Sequence, residues 1–157
     1  HSLERLFNTY INSVGNNTTF NLNIPPMPNG KFNDKDVKRL KELGEMLENE
    51  FGTNLAENCE IETLPGYGET QPEYVIKLNG VKKVKYVEFA ERISEGQRIS
   101  NFVIFTKNNE GYYNKAAQST TVGSRKIVKI DPTETDEIKI RIMSARDIPE
   151  IEWIKIY

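Results

Sequence analysis

Two amphipathic patterns dominate the first third of the chain. Over residues 3–14, apolar residues recur at spacings of three and four, which predicts a helix whose left-handed stop is supplied by Gly15 and the asparagines after it. A second stripe, over residues 37–51, predicts another helix that is capped by Asn33 and ended by Gly52. Each predicted helix has one apolar face available for burial.

A short β-prone run, residues 19–24, separates the two predicted helices. Three prolines within residues 25–28 end this run, because proline cannot continue a strand ladder. The order helix, strand, helix is typical of a slice of an α/β protein in which the single strand has no neighbour. Since strand backbone groups need partners, either the neighbours lie upstream or the strand joins the sheet that follows.

Beyond the second helix, apolar and polar residues alternate in short runs, as in half-buried strands. Turn signals between the runs are Asn79-Gly80, residues 108–111 and Asp131-Pro132-Thr133. Short strands at these intervals predict a mainly β fold, an antiparallel β-sandwich or barrel. We expect two domains, residues 1–52 and 53–157. The predicted strands are residues 74–78, 84–90, 99–106, 111–117, 124–130, 138–142 and 152–157.

Composition removes several classes of function. The 21 Lys and Arg residues nearly balance 23 Asp and Glu, so we expect no nucleic-acid partner, and no apolar run is long enough to predict a membrane partner. With Cys59 the only cysteine and His1 the only histidine, an internal disulfide, a Cys/His zinc cluster and a histidine-based catalytic triad are excluded. No metal and no other cofactor is predicted. The opening His1-Ser2, without a signal peptide, indicates a cleaved tag or a cut inside a longer protein.

Candidate residues for sugar chemistry are few. We expect no acid in an apolar stretch that would raise its pKa as a general acid requires, so no catalytic residue is nominated. Tyr67, Tyr112 and Trp153 are candidate glycan contacts, since flat rings offer stacking surfaces. Packing within strands is the alternative interpretation, because aromatic residues favour strands. The polar run of residues 95–98 is expected to brace a loop or, alternatively, to bind a partner.

Two stretches of the sequence carry a family resemblance. The first is residues 16–26, Asn-Asn-Thr-Thr-Phe-Asn-Leu-Asn-Ile-Pro-Pro, with Asn29-Gly30 and the helix after them. The second comprises residues 91–99, Phe102, Thr121-Val122-Gly123 and residues 139–149. Together they resemble the last βα unit of the catalytic barrel and the C-terminal galactose-binding-like sandwich of the α-L-fucosidases of glycoside hydrolase family 29.

The resemblance implies a fold, an activity and partners. The fold would be a galactose-binding-like, discoidin-type jelly roll preceded by an αβα remnant of a (β/α) barrel, with residues 19–24 as the eighth barrel strand. Family members are retaining hydrolases of terminal α-L-fucosyl linkages, and their aspartate nucleophile lies on an earlier strand, upstream of this chain. The implied partners are that upstream barrel and, through the parent enzyme, a fucosylated glycan. Asn23, at the end of the strand, is the candidate substrate-binding residue, and a structural role at the strand end is the alternative.

The expected function is that of the C-terminal segment of a retaining α-L-fucosidase, inactive alone, whose sandwich is an accessory. The alternative is a free-standing carbohydrate-binding or protein-interaction module. Residues 63–72 form a shorter interval than such sandwiches usually have, and so no structural calcium is expected there. Residues 19–24 distinguish the two interpretations, because a stand-alone module must pair them within its own sheet.

Overall fold

Two helices precede six antiparallel strands in the computed structural model, which describes residues 1–157 and confirms the predicted mainly β fold. The strands follow the order first, second, fifth, third, fourth, with the sixth paired to the second. A short 3₁₀ turn, Ile93–Glu95, follows the second strand. The elements are α1 (Leu3–Ser13), α2 (Asp34–Phe51), β1 (Glu60–Leu64), β2 (Glu73–Glu91), β3 (Ile99–Lys107), β4 (Tyr113–Thr120), β5 (Lys126–Ala145) and β6 (Ile151–Ile156).

The long strands β2 and β5 run through both layers of the sandwich. Their pairing register breaks between Lys77 and Lys82 and again between Val84 and Tyr86, and a register break of this kind bends a strand. The five-stranded layer contains β1, β3, β4 and the halves of β2 and β5 that pair with them. The three-stranded layer contains β6 and the other halves of the two long strands.

Two predicted turns are wrong as hairpins. Asn79-Gly80 and Asp131-Pro132-Thr133 lie inside β2 and β5, near the register breaks, so each pair of strands predicted around them is one bent strand. Gly80 does have a positive φ of 85°, but a bend and a hairpin turn use the same residue types. The sequence also missed β1, where exposed glutamates such as Glu60 obscure the alternation.

Isoleucine and aromatic side chains fill the space between the two layers. Ile76, Ile104 and Ile140 are inaccessible to solvent, and Phe89 meets Phe102 edge-on with ring centroids 4.9 Å apart. Complete burial of one such side chain stabilises the fold by about 1.5–3 kcal/mol. The alternating apolar positions of the sequence therefore supply the inner faces of the sandwich, as predicted.

Both helices pack on the outer face of the three-stranded layer through a second apolar cluster. Phe51, the last residue of α2, lies against two rings of the sheet, with centroid distances of 4.9 Å to Tyr86 and 5.1 Å to Tyr157. The ring of Phe7, in α1, stacks on the Phe51 ring with a centroid distance of 6.2 Å. This aromatic cluster sets the position of α1 and α2 on the sandwich.

The chain after α1 is bound closely to the start of β5. The left-handed residue there is Asn17, with φ 64°, one of the two asparagines in the predicted stop, whereas Gly15 itself does not have a positive φ. Gly15 allows close approach instead: its carbonyl accepts from the Ile127 N–H at 2.8 Å, and an added Cβ would lie 2.8 Å from that side chain. The Asn17 side-chain oxygen accepts from the Ser124 backbone N–H at 3.0 Å. The carboxyl end of α1 is thus held against the sandwich.

Candidate functional site

Residues 19–26, called the unpaired segment below, belong to no helix and to no sheet. None of their backbone N–H or carbonyl groups bonds to another backbone group of the chain. Phe20, Leu22 and Ile24 are half-buried while the residues between them are exposed, which is the side-chain alternation of a strand. The sequence left two alternatives for these residues, that their strand neighbours lie upstream or that they join the sheet that follows. The second alternative is wrong. The unpaired segment therefore has the side-chain alternation of a strand but no inter-strand hydrogen bonds.

The unpaired segment runs antiparallel to both helices. Residues 22–25 line a cavity of about 90 Å³ together with Leu6, near the start of α1, and Asp36, near the start of α2. The far end of α2 meets the sandwich, where Glu50 pairs with Lys85 at 2.6 Å, and the far end of α1 does so through the contacts described above. Two helices that run one way around a segment that runs the other way have the geometry of consecutive βα units.

Asn23, the candidate substrate-binding residue, stands next to the carboxyl end of the predicted strand, residues 19–24. It is exposed and lines the 90 Å³ cavity beside Arg39 of α2. The exposed Pro25 and Pro26 follow it and turn the chain away. A side-chain amide offers both donors and acceptors to a hydroxyl-rich ligand, so Asn23 keeps this role as a prediction.

The three aromatic candidates do not share one surface. Tyr67, in the loop before β2, is 76% exposed, and its ring centroid lies 5.6 Å from the guanidinium carbon of Arg141. Tyr112 is 67% exposed at the tip of the β3–β4 hairpin, where its N–H donates to the Asn108 side chain. Trp153 is half-buried on β6 of the three-stranded layer. These rings therefore form no common platform.

A network of paired charges covers the outer face of the five-stranded layer. Glu73 accepts from Arg141 at 2.5 Å and lies 3.2 Å from the Lys139 ammonium. Burial raises the pKa of the Glu73 carboxyl, but hydrogen bonds from Arg141 and Lys139 outweigh burial and hold that pKa below its ordinary value. Tyr113 donates to Glu137, and burial together with this carboxylate raises the pKa of the tyrosine. Because these groups satisfy each other, the network stabilises the layer.

Besides Glu73, two further acids of β2, Glu88 and Glu91, are buried, contrary to the expectation that no acid stands in an apolar stretch. Glu91 accepts hydrogen bonds from three backbone amides, those of Arg98, Ile99 and Gly123, each at 2.9 Å. Its carboxylate thereby ties the loop after β2 to the turn before β5. The position suits a structural role, because all three donors are backbone groups that need a partner when buried.

The other buried acid and the neighbouring loop are also satisfied within the chain. Glu88 accepts from Arg125 at 2.5 Å and from the Tyr157 hydroxyl at 3.0 Å. Arg98 donates to the carbonyl of Ile148 at 2.7 Å and to Glu150 at 3.1 Å. Bracing of the loop, one of the two roles expected for residues 95–98, is therefore observed.

No group of three or more His, Cys, Asp or Glu residues is placed to hold a metal ion. Neither α1 nor α2 combines the length and apolar character needed to cross a membrane. Cys59 is a free, half-buried thiol.

Comparison with known sequences gives a clear relative. No protein-family model matches the chain. Alpha-L-fucosidase 1 of Arabidopsis thaliana is 30% identical over 180 aligned positions, which cover 98% of this chain and 36% of the plant protein. Since 180 positions exceed the 157 residues of this chain, the plant protein carries additional residues inside the matched region.

Comparison with solved structures also finds fucosidases that match the whole chain. The GH29 fucosidase E1_10125 of Ruminococcus gnavus, solved in complex with fucose, matches with a TM-score of 0.89 and 26% identity, over 100% of this chain and 37% of that protein. A CBM32 module of Clostridium perfringens, solved with GalNAc-β-1,3-galactose, matches with a TM-score of 0.58 over 67% of this chain and 99% of the module. At 11% identity, that likeness concerns the fold alone. The chain therefore matches α-L-fucosidases of glycoside hydrolase family 29 along its whole length, spans about a third of the length of these relatives, and is consistent with a C-terminal part of them.

Proposed function

We propose that this chain is the C-terminal segment of a retaining enzyme that hydrolyses terminal α-L-fucosyl linkages in glycans. The observation that carries the proposal is the unpaired segment. Its side chains alternate as in a strand, its backbone has no hydrogen-bonded neighbour, and both helices beside it run in the opposite direction. In a (β/α) barrel such a strand pairs on both sides with parallel neighbours. The missing neighbours would be supplied by the upstream part of the parent.

The sandwich acts as an accessory that braces the barrel. In a (β/α) barrel the substrate binds at the carboxyl ends of the strands, whereas the opposite face serves stability. Asn23 and Pro25 mark the carboxyl end here, and both lie near the amino ends of the helices. The sandwich contacts the other ends, through Gly15 and Glu50. This arrangement favours a structural role for the sandwich, at the barrel face opposite the substrate-binding face.

We expect the chain by itself to be catalytically inactive, because the family resemblance implies that the aspartate nucleophile lies on an earlier barrel strand. The test is release of nitrophenol from 4-nitrophenyl α-L-fucopyranoside. The chain alone should give the rate of the buffer, and the intact parent should turn the substrate over. In the parent, Asn23→Ala should lower kcat/KM by about tenfold or more, since it would remove hydrogen bonds to the sugar.

A matched change far from the substrate controls for folding in this assay. Glu110→Ala, at the exposed tip of the β3–β4 hairpin, should leave kcat/KM unchanged. Turnover by the chain alone above the buffer rate, abolished by substitution within the chain, would overturn the proposal. An inactive parent would contradict the fucosidase assignment itself.

A free-standing carbohydrate-binding or protein-interaction module is the second candidate. The exposed rings of Tyr67 and Tyr112 favour it, because solvent-exposed aromatic rings are typical of binding surfaces. Binding of 2′-fucosyllactose by the chain alone, lost in Tyr67→Ala, would support this function for the sandwich. It would leave the unpaired segment without an explanation.

A further inference from the structure

The chain contains two Asn-Gly pairs, Asn29-Gly30 in the loop before α2 and Asn79-Gly80 in the bend of β2. Such a pair is chemically reactive as well as a turn signal, because glycine has no side chain to keep its backbone nitrogen away from the preceding asparagine side chain. Both pairs are exposed to solvent, and both glycines have a positive φ, of 76° and 85°. Sequence and exposure therefore do not distinguish the two pairs.

Hydrogen bonds hold both reacting groups of the first pair. The Asn29 side-chain oxygen accepts from the Lys31 backbone N–H at 3.1 Å, so rotation of this side chain toward Gly30 would break a hydrogen bond. The Gly30 N–H donates to the Met27 carbonyl at 2.9 Å. A backbone nitrogen becomes a nucleophile only when it loses its proton, and a hydrogen bond to a carbonyl opposes that loss. The folded loop should therefore slow any reaction between Asn29 and Gly30.

The bend of β2 around the second pair contains surplus residues. The register with β5 passes from Lys77 opposite Glu137 to Lys82 opposite Thr135, so residues 78–81 stand opposite a single residue of β5. Three of these four surplus residues are exposed. Because no ladder fixes the backbone here, the bend can adopt the conformations in which an asparagine side chain reaches the next backbone nitrogen.

The second pair also lacks the restraints of the first. Neither Asn79 nor Gly80 has a partner residue in the ladders of β2 with β1, β5 or β6. The Asn79 side chain takes part in none of the side-chain hydrogen bonds of the chain. Its amide is therefore free to rotate, in contrast to that of Asn29.

We propose that Asn79 is a site of spontaneous deamidation in the folded protein. The Gly80 nitrogen loses its proton and attacks the side-chain carbonyl carbon of Asn79, a new C–N bond closes a cyclic imide, and the side-chain amide nitrogen leaves as ammonia. Water then opens the imide at either carbonyl and gives aspartate or isoaspartate. Each event adds one negative charge to a chain whose formal net charge is −2. This modification does not depend on the proposed function.

Ageing of the folded 157-residue chain in mildly alkaline buffer, followed by brief digestion with trypsin and mass spectrometry, measures each site separately. Trypsin cleaves after Lys31, Lys77 and Lys82, so the two asparagines enter different peptides. We expect the mass gain from amide to acid to appear at least about tenfold faster at Asn79 than at Asn29. The aged Asn79 peptide should also accept methyl groups from S-adenosylmethionine and an isoaspartyl methyltransferase, which identifies isoaspartate.

The unfolded chain shows whether the fold sets this difference. In guanidinium chloride the two pairs should react at similar rates, because both then lack hydrogen bonds. Asn79→Gln should remove the signal from its peptide, since glutamine would have to close a larger ring, and Asn29→Gln should leave the rate at Asn79 unchanged. An Asn79 peptide that stays unmodified, a rate at Asn29 that equals or exceeds it, or a preference for Asn79 that persists unchanged in denaturant would overturn the proposal.

Discussion

Phe51→Ala should detach the two helices from the sandwich and lower the free energy of unfolding by about 3 kcal/mol. Phe51 is the residue through which α1, α2 and the sheet meet, with the rings of Tyr86 and Tyr157 within 5.1 Å of its own. Removing the ring leaves a cavity that the rigid sheet beneath cannot close. Since small domains are stable by about 5–15 kcal/mol in total, the loss should be easy to measure.

Urea unfolding followed by two probes checks this prediction. Far-ultraviolet circular dichroism reports mainly on α1 and α2, and the fluorescence of Trp153 reports on the sandwich. The two transitions should separate in Phe51→Ala, with the helical signal lost first. Phe32→Ala is the matched control, because Phe32 is 52% exposed, and its effect should stay within about 0.5 kcal/mol. Coincident, unshifted transitions in Phe51→Ala would contradict this account of the helix–sandwich contact.

Glu91→Ala should be at least as damaging, with a loss of about 3–5 kcal/mol. The Glu91 side chain is only 1% exposed, and its carboxylate is the acceptor for the amides of Arg98, Ile99 and Gly123. Each buried donor left without a partner costs about 1–3 kcal/mol. Water entering the cavity would satisfy part of the loss, which is why the expected total is below the simple sum.

Glu91→Gln separates the hydrogen bonds from the packing. It keeps the size of the side chain but replaces one acceptor oxygen by a donor, so we expect a loss of about 1–3 kcal/mol. Glu110→Ala, an exposed glutamate at a hairpin tip, should be neutral. The measurement is the urea midpoint at constant m-value. An unchanged midpoint for Glu91→Ala would mean that the two loops do not depend on this carboxylate.

The helices and most of the sandwich were predictable because their signals are local. The stripe from Leu3 and the Asn33 cap each specify a helix without reference to the rest of the chain, and α1 and α2 begin at Leu3 and Asp34. Alternation likewise predicted the inner residues of β5, such as Ile138 and Ile140. Hairpin geometry was less secure, because the turn residues around Gly80 also suit a bend within one strand.

Burial of polar residues depends on elements that are distant in sequence, and here prediction failed. Glu88 alternates with the core residues Val87 and Phe89, which predicts a side chain facing water. The helices that cover this face are what bury it, together with Tyr157. Glu91 is enclosed by loops that close on it. No local sequence pattern predicts that Glu88 or Glu91 is buried.

The candidate site was predictable in position but not in pairing. Residues 19–24 are predicted as a β-prone run, and their side chains do alternate between half-buried and exposed. Whether such a strand is paired is decided by the chain beside it, and this chain supplies no partner. Asn23 was placed at the strand end from family resemblance, and its exposure beside Arg39 is compatible with that role.

Amide hydrogen exchange of residues 19–24, compared between this chain and its intact parent, tests the central claim most directly. In the chain alone these amides have no backbone acceptor, so they should exchange at nearly the rate of an unstructured peptide. In the parent they should be among the slowly exchanging amides, since an inner barrel strand is paired on both sides. Slow exchange in the isolated chain, or equally fast exchange in both proteins, would contradict the view that this segment is a barrel strand completed by upstream neighbours.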